Sequence, residues 1–74
     1  MITAEQIHQK LVDSLKNSGQ TQAELAKRLK INQSSISSYL TGRRTPSLEM
    51  FANICAILDL DTNEILCIDS FKED

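Results

Sequence analysis

Six glutamine, serine and threonine side chains crowd into nine residues of this chain: Gln33, Ser34, Ser35, Ser37, Ser38 and Thr41, with Arg43 and Arg44 directly beyond. No carboxylate interrupts them. Hydroxyls and an amide both donate and accept, while guanidinium groups grip phosphate oxygens in a planar fork. That combination suits a duplex groove. A helix entering between two phosphate walls cannot present carboxylates, and bulky side chains would hold it away from the base edges. Glutamine pairs bidentately with adenine, and serine donates to or accepts from several bases. As mere solvated surface the stretch is costly, because serine is a mediocre helix former and fills four of the five positions 34–38. The front of such a helix is Gln33, Ser34, Ser37 and Ser38, with Thr41 one turn on. Arg43 and Arg44 alone would be an ordinary loop; placed here, they read as a phosphate clamp.

The charge distribution agrees once the chain is divided. The net charge of −2 and a pI near 5.2 argue against a polyanionic partner. Yet Lys27, Arg28, Lys30, Arg43 and Arg44 give residues 25–48 a charge of +5 with no acid among them. Residues 1–24 carry −1, from Lys10 and Lys16 against Glu5, Asp13 and Glu24. Residues 49–74 carry −6, with seven acids against Lys72 alone. All the unopposed positive charge lies in the middle third.

Other chemistries are poorly supplied. His8 is the only histidine, and Cys55 and Cys67 stand twelve residues apart, which fits no metal or redox motif. Both cysteines read as small buried hydrophobes. No nucleophile–base pair, carboxylate dyad or ligand cluster is spaced for catalysis, so neither an enzyme, a metal nor a cofactor is expected. At 74 residues the chain allows one small domain, 1–74, which buries only about 60% of its unfolded surface. No apolar run approaches the roughly 18 residues of a membrane span, and residues 1–10 lack the apolar stretch of a signal peptide. A soluble, cytoplasmic protein is the expectation.

The elements that must position the polar face are helices, with no convincing strand. The first runs from about Thr3 to Asn17, with Ile7, Leu11 and Leu15 on one face beside Val12. Thr3-Ala-Glu-Gln6 predicts a capping box, and Ser18-Gly19 ends the helix. Thr21-Gln-Ala-Glu24 predicts a second capping box, opening a two-turn helix with Ala23, Leu25, Ala26 and Leu29 apolar. Asn32 predicts the N-cap of a third helix, whose Ile36, Tyr39 and Leu40 form the apolar side. Ile36 and Leu40, four apart, are expected to pin it from behind, and Tyr39 to pack with its hydroxyl reaching out. Gly42 suits a position just past the helix that needs φ > 0. Ser47 caps a fourth helix with Leu48, Phe51, Ala52, Ile54, Cys55 and Leu58 apolar. Asp61-Thr-Asn-Glu64 opens a fifth, leading to Ile65, Leu66 and Ile68. The tail 69–74, with three acids, is polar except for Phe71.

Two short helices joined by a turn, the second with a small polar face, make a helix-turn-helix pattern at about 22–41. Residues 21–46, TQAELAKRLKINQSSISSYLTGRRTP, resemble the phage repressor/Cro-type family, also called the XRE family. The most specific part is QAELAKRL, then Q-x-x-I-x-x-Y-x-x-G-x-R-x-P, then SLEMFANICAILDL, and the likeness extends over roughly residues 8–66. The resemblance implies an all-α, compact five-helix lambda-repressor-like DNA-binding domain, acting as a dimer on a pseudo-palindromic operator. It implies that Gln22 holds phosphate at the start of the first motif helix. It implies that Gln33, Ser34 and Ser38 reach base edges, with Ser37 near them, and that Arg43 contacts the backbone, with Arg44 and Thr41 beside it.

Two positions depart from the family pattern. Lys30 stands in the turn where the family often has Gly, at a strain of about 1 kcal/mol. The serine-rich face also lacks an Arg to grip guanine. The expected activity is sequence-specific binding of duplex DNA by a transcriptional regulator, a repressor by operator occupancy. The alternative is an antitoxin-type or other protein-interaction module of the same fold, binding a protein partner through its acidic C-terminal face. Leu66, Ile68 and Phe71 either close the core or form a dimer seam.

Overall fold

The computed structural model describes residues 1–69, so Phe71 and most of the acidic tail lie outside it. Over those residues the chain forms five α-helices and no strand: α1 (Ala4–Asn17), α2 (Gln22–Leu29), α3 (Gln33–Leu40), α4 (Leu48–Ile57) and α5 (Thr62–Ile65). Both predicted capping boxes are present. The Thr3 and Thr21 hydroxyls accept from the Gln6 and Glu24 amides, and the Gln6 and Glu24 side chains accept from the Thr3 and Thr21 amides in return. The Ser47 hydroxyl caps α4, and the Asp61 carboxylate caps α5. Asn32 has the extended backbone of an N-cap, but its side chain makes no capping bond to α3.

Three helix ends share one device. Lys30, Asp59 and Cys67 adopt positive φ of 58°, 52° and 62° at the ends of α2, α4 and α5. At each, the next residue's N–H reaches back five residues: Ile31 to Ala26 O, Leu60 to Cys55 O and Ile68 to Asn63 O. The left-handed residue itself donates to a carbonyl three residues back, at Lys27, Ala56 and Glu64. This is the Schellman arrangement, which satisfies carbonyls that the helix would leave orphaned. It turns the chain sharply between helices, at the cost of a non-glycine residue in a conformation that glycine adopts freely.

The core gathers Leu11 and Leu15 from α1, Leu25, Ala26 and Leu29 from α2, Ile36 and Tyr39 from α3, Ile54 from α4 and Ile65 from α5. Half-buried Ile7, Ile31, Leu40, Met50, Phe51, Ile57, Leu58 and Leu60 pack around them. Here α3 departs from the expected pairing: Tyr39 joins Ile36 in the interior, whereas Leu40 sits at its edge. At 3.6 residues per turn positions 39 and 40 flank the face that holds position 36, one on each side, so what packs above the helix decides which of them is covered. Cys55 is buried, as expected, but Cys67 is only half-buried. Of the C-terminal run, Ile65 closes the core, Leu66 is half-buried and Ile68 stays 52% exposed. Leu48 is 89% exposed, although the apolar pattern of α4 includes it.

Two outcomes test the helix ends. Lys30→Gly relieves the αL strain against a smaller gain of unfolded-chain entropy. It is expected to raise stability by up to about 1 kcal/mol, a few degrees in Tm for a domain this size; a lower Tm in thermal unfolding contradicts the strain. In the α2 cap, the Thr21 backbone N–H and then its hydroxyl hold the Glu24 carboxyl below its ordinary value of 4.5. A carboxyl lowered on folding stabilises fully above its unfolded pKa, and that contribution disappears as pH falls through the folded value. The Tm advantage of the native chain over Glu24→Gln is therefore expected to hold above about pH 4.5 and to shrink below it. Melts across a pH series, followed by circular dichroism, check this.

Candidate nucleic-acid interface

The polar face of α3 is available because α2 holds the opposite face. These two helices make the most extensive contact in the fold. Small Ala26, only 5% exposed, lets the backbones approach, and Ile36 opposite is fully buried. With Ile36 and Tyr39 committed to the interior, Gln33 and Ser34 stand exposed and Ser37 and Ser38 half-buried at the surface. No acidic residue occurs anywhere on α3. The sequence-predicted face is thus brought together as one continuous strip. Gln22, at the first residue of α2, is half-buried, while Thr41, Arg43 and Arg44 are exposed beyond the last residue of α3.

Several of these groups already have partners within the protein. The Ser38 hydroxyl donates to the Ser34 carbonyl at 2.9 Å, and the Thr41 hydroxyl to the Ser37 carbonyl at 2.9 Å. Such back-bonding to the preceding turn suits hydroxyls on a short helix. It has a consequence for Thr41: phosphate oxygens only accept, so its hydroxyl must release Ser37 before donating to one.

The end of α3 is folded tightly. Thr41 N–H donates to Ser37 O, and Gly42 N–H, at φ 79°, to Tyr39 O. Arg44 N–H returns to Ser38 O at 3.2 Å, which draws the arginine loop back against the polar helix. Gly42 fills the left-handed position that the sequence reserved for it.

Two contacts had no signal in the sequence. The His8 ring on α1 lies 2.7 Å from Tyr39 O, across thirty-one residues of chain. A carbonyl only accepts, so Nε2 must carry the proton in this bond. The lone histidine, which looked merely short of partners for catalysis, ties α1 to the last turn of α3. Arg28, counted in the basic third, instead donates from Nη2 to Ile57 O at 2.8 Å. It thereby satisfies a carbonyl at the C-terminal end of α4, where positive charge is favourable. Lys27, Lys30, Arg43 and Arg44 remain as exposed cations without such a role.

Among the described residues no group of His, Cys, Asp or Glu is arranged to hold a metal. Burial pushes the Cys55 thiol up, away from the reactive thiolate. Among the described residues no helix is long and apolar enough to cross a membrane.

With this geometry in place the class of protein is defined. The chain belongs to the helix-turn-helix family: the family model matches residues 15–65, more than half of its length, and the type is that of XRE regulators. It is a DNA-binding domain of the transcription-regulator kind. Comparison with curated proteins found no significant match, and comparison with solved structures found none.

The His8 tether is open to test. His8→Ala is expected to cost about 1 kcal/mol, since it deletes a hydrogen bond and leaves the Tyr39 carbonyl with the Gly42 N–H as its donor. Amide exchange at Gly42 and Arg44 should rise with it. His8→Gln, which restores an N–H donor of similar reach, should recover part of both. Equal exchange in all three proteins would show that the contact holds nothing in place.

Proposed function

We propose that the chain is a sequence-specific transcriptional regulator, a repressor that occupies its operator as a homodimer with α3 inserted in the major groove. The observation that supports this is the carboxylate-free strip on α3, backed by buried Ile36 and Tyr39 and followed by exposed arginines. In this reading Gln33, Ser34, Ser37 and Ser38 meet base edges, and Gln22, Thr41, Arg43 and Arg44 meet the sugar-phosphate backbone. Phosphate contacts set the register and carry much of the affinity; base contacts choose the sequence. The α3–α4 loop supplies two guanidinium groups at the edge of the strip, and Arg44 is anchored there through its own N–H.

A single copy offers few contacts, which favours a two-fold dimer on half-sites about 34 Å apart. Leu48 and Ile68, exposed at 89% and 52%, provide apolar surface for a second copy. Repression is the simplest output of such a module, since occupancy alone accomplishes it.

Gel-shift titration separates the two kinds of contact. Gln33→Ala should cost about 1–3 kcal/mol on the preferred site and relax preference at one base position. Arg43→Ala should weaken binding to all duplexes alike and reduce the salt slope by about 1. Indistinguishable effects from the two variants would contradict the assignment. Sedimentation of the bound complex should give two chains per site; one chain per site would remove the dimer.

A further inference from the structure

We infer that Ser38 is an acceptor-only reader, selecting a base that presents an amino group and rejecting one that presents a keto oxygen. The inference rests on the proposed function, in which Ser38 faces the bases. A hydroxyl has one proton and two lone pairs. The Ser38 proton is already spent on the Ser34 carbonyl at 2.9 Å, within the same helix. What the side chain offers outward is therefore lone pairs alone. In the major groove, adenine N6 and cytosine N4 are donors, whereas guanine O6 and thymine O4 are acceptors. Lone pairs meeting an amino group form a hydrogen bond without disturbing the helix. Lone pairs meeting a keto oxygen repel, unless the hydroxyl turns and gives up its bond to Ser34.

The result is a code that groups bases unusually. A·T and C·G, with the amino base on the strand facing Ser38, bind alike. T·A and G·C are rejected alike. The difference expected is about three- to tenfold in affinity, the equilibrium equivalent of one net hydrogen bond. A serine whose proton was unengaged would meet either class by rotating its hydroxyl, so this preference comes from the back-bond rather than from the residue type. It gives specificity to a face with no arginine for guanine.

The test begins with selection of bound duplexes from a random library by the native chain and by Ser38→Ala. Alanine is the best helix former, so the variant is expected to fold, which a thermal melt verifies. One position per half-site should lose its preference in Ser38→Ala. At that position the native chain should favour the two pairs that share an amino base on one strand. Where adenine is preferred, replacing it with purine, which lacks the 6-amino group, should weaken the native chain three- to tenfold and leave Ser38→Ala unchanged. A preference at that position that joins A·T with T·A, or adenine with guanine, overturns the inference but leaves Ser38 as a base contact. So does equal weakening of both proteins by the purine site. If Ser38→Ala changes no position while Gln33→Ala does, Ser38 reads nothing, and the inference fails while α3 remains the reading helix. If the native chain selects no sequence at all, the proposed function fails and takes the inference with it.

Discussion

The contact on which the rest depends is the packing of α3 on α2, with Ile36 and Tyr39 of α3 and small Ala26 of α2 buried in one core. An isolated helix of eight residues is unstable in water, because nucleation costs more than so few hydrogen bonds return. Serine at four of its eight positions makes α3 a still poorer helix. Its existence is therefore owed to tertiary packing. That dependence is what permits the polar face: once two apolar side chains secure the helix from behind, the front is relieved of any structural duty and can be chosen for what it recognises. The same dependence makes the crossing intolerant. A larger residue at Ala26 would lift α3 away from α2, and truncating Ile36 would open a cavity worth about 2–5 kcal/mol in a domain whose whole stability is only about 5–15 kcal/mol.

Short helices also concentrate the problem of their ends. Each helix leaves four carbonyls without partners, so in α2 and α3, of eight residues each, half the carbonyls belong to the final turn. The structure answers in two ways. Where the chain must turn sharply, at the ends of α2, α4 and α5, backbone amides fold back through a left-handed residue. Where a helix end meets another helix, a side chain adds a further donor to the backbone amides: His8 for α3 and Arg28 for α4. The second solution couples elements far apart in sequence. Through His8, α1 bears on the turn from which Arg43 and Arg44 extend, so the frame of the domain and the edge of its polar strip are mechanically joined.

Local features were legible in the sequence, and remote ones were not. Thr3–Gln6 and Thr21–Glu24 announce their capping boxes because every participant lies within four residues. Gly42 marks a left-handed position by its residue type just past a helix, whereas at Lys30 only the family resemblance, which often has Gly in that turn, pointed to one. The exposed strip on α3 followed from helical periodicity and the absence of acids. Periodicity put Tyr39 and Leu40 together on the apolar side but misjudged finer matters, naming Leu40 rather than Tyr39 to pin the helix with Ile36 and counting Leu48 as core. Which apolar residue is covered depends on what crosses above it, and that is set by the angles between helices rather than by spacing along one of them. Asn32 has the residue type and backbone of a cap without its bond. The partners of His8 and Arg28 were beyond reach because a ring nitrogen or a guanidinium can satisfy any nearby carbonyl, and only the fold decides which one is near.

Net charge misleads in this molecule for a related reason. A sum of −2 treats every charge as equally placed, but charges act on a ligand only within a screening length of roughly 8 Å at physiological salt. The described chain extends 43 × 24 × 21 Å, several such lengths across, so acids remote from a docked polyanion contribute little to its binding. The meaningful quantity is the set of cations left over at the strip. Of the basic third, Arg28 is withdrawn by the end of α4, and Lys27, Lys30, Arg43 and Arg44 stay exposed; of these, Arg43 and Arg44 lie in the loop that returns to the strip. On the proposed reading, the exposed Asp59, Asp61 and Glu64 around α5 act through orientation rather than affinity. With α3 docked as proposed, they would penalise an approach that brings α5 itself toward a phosphate backbone.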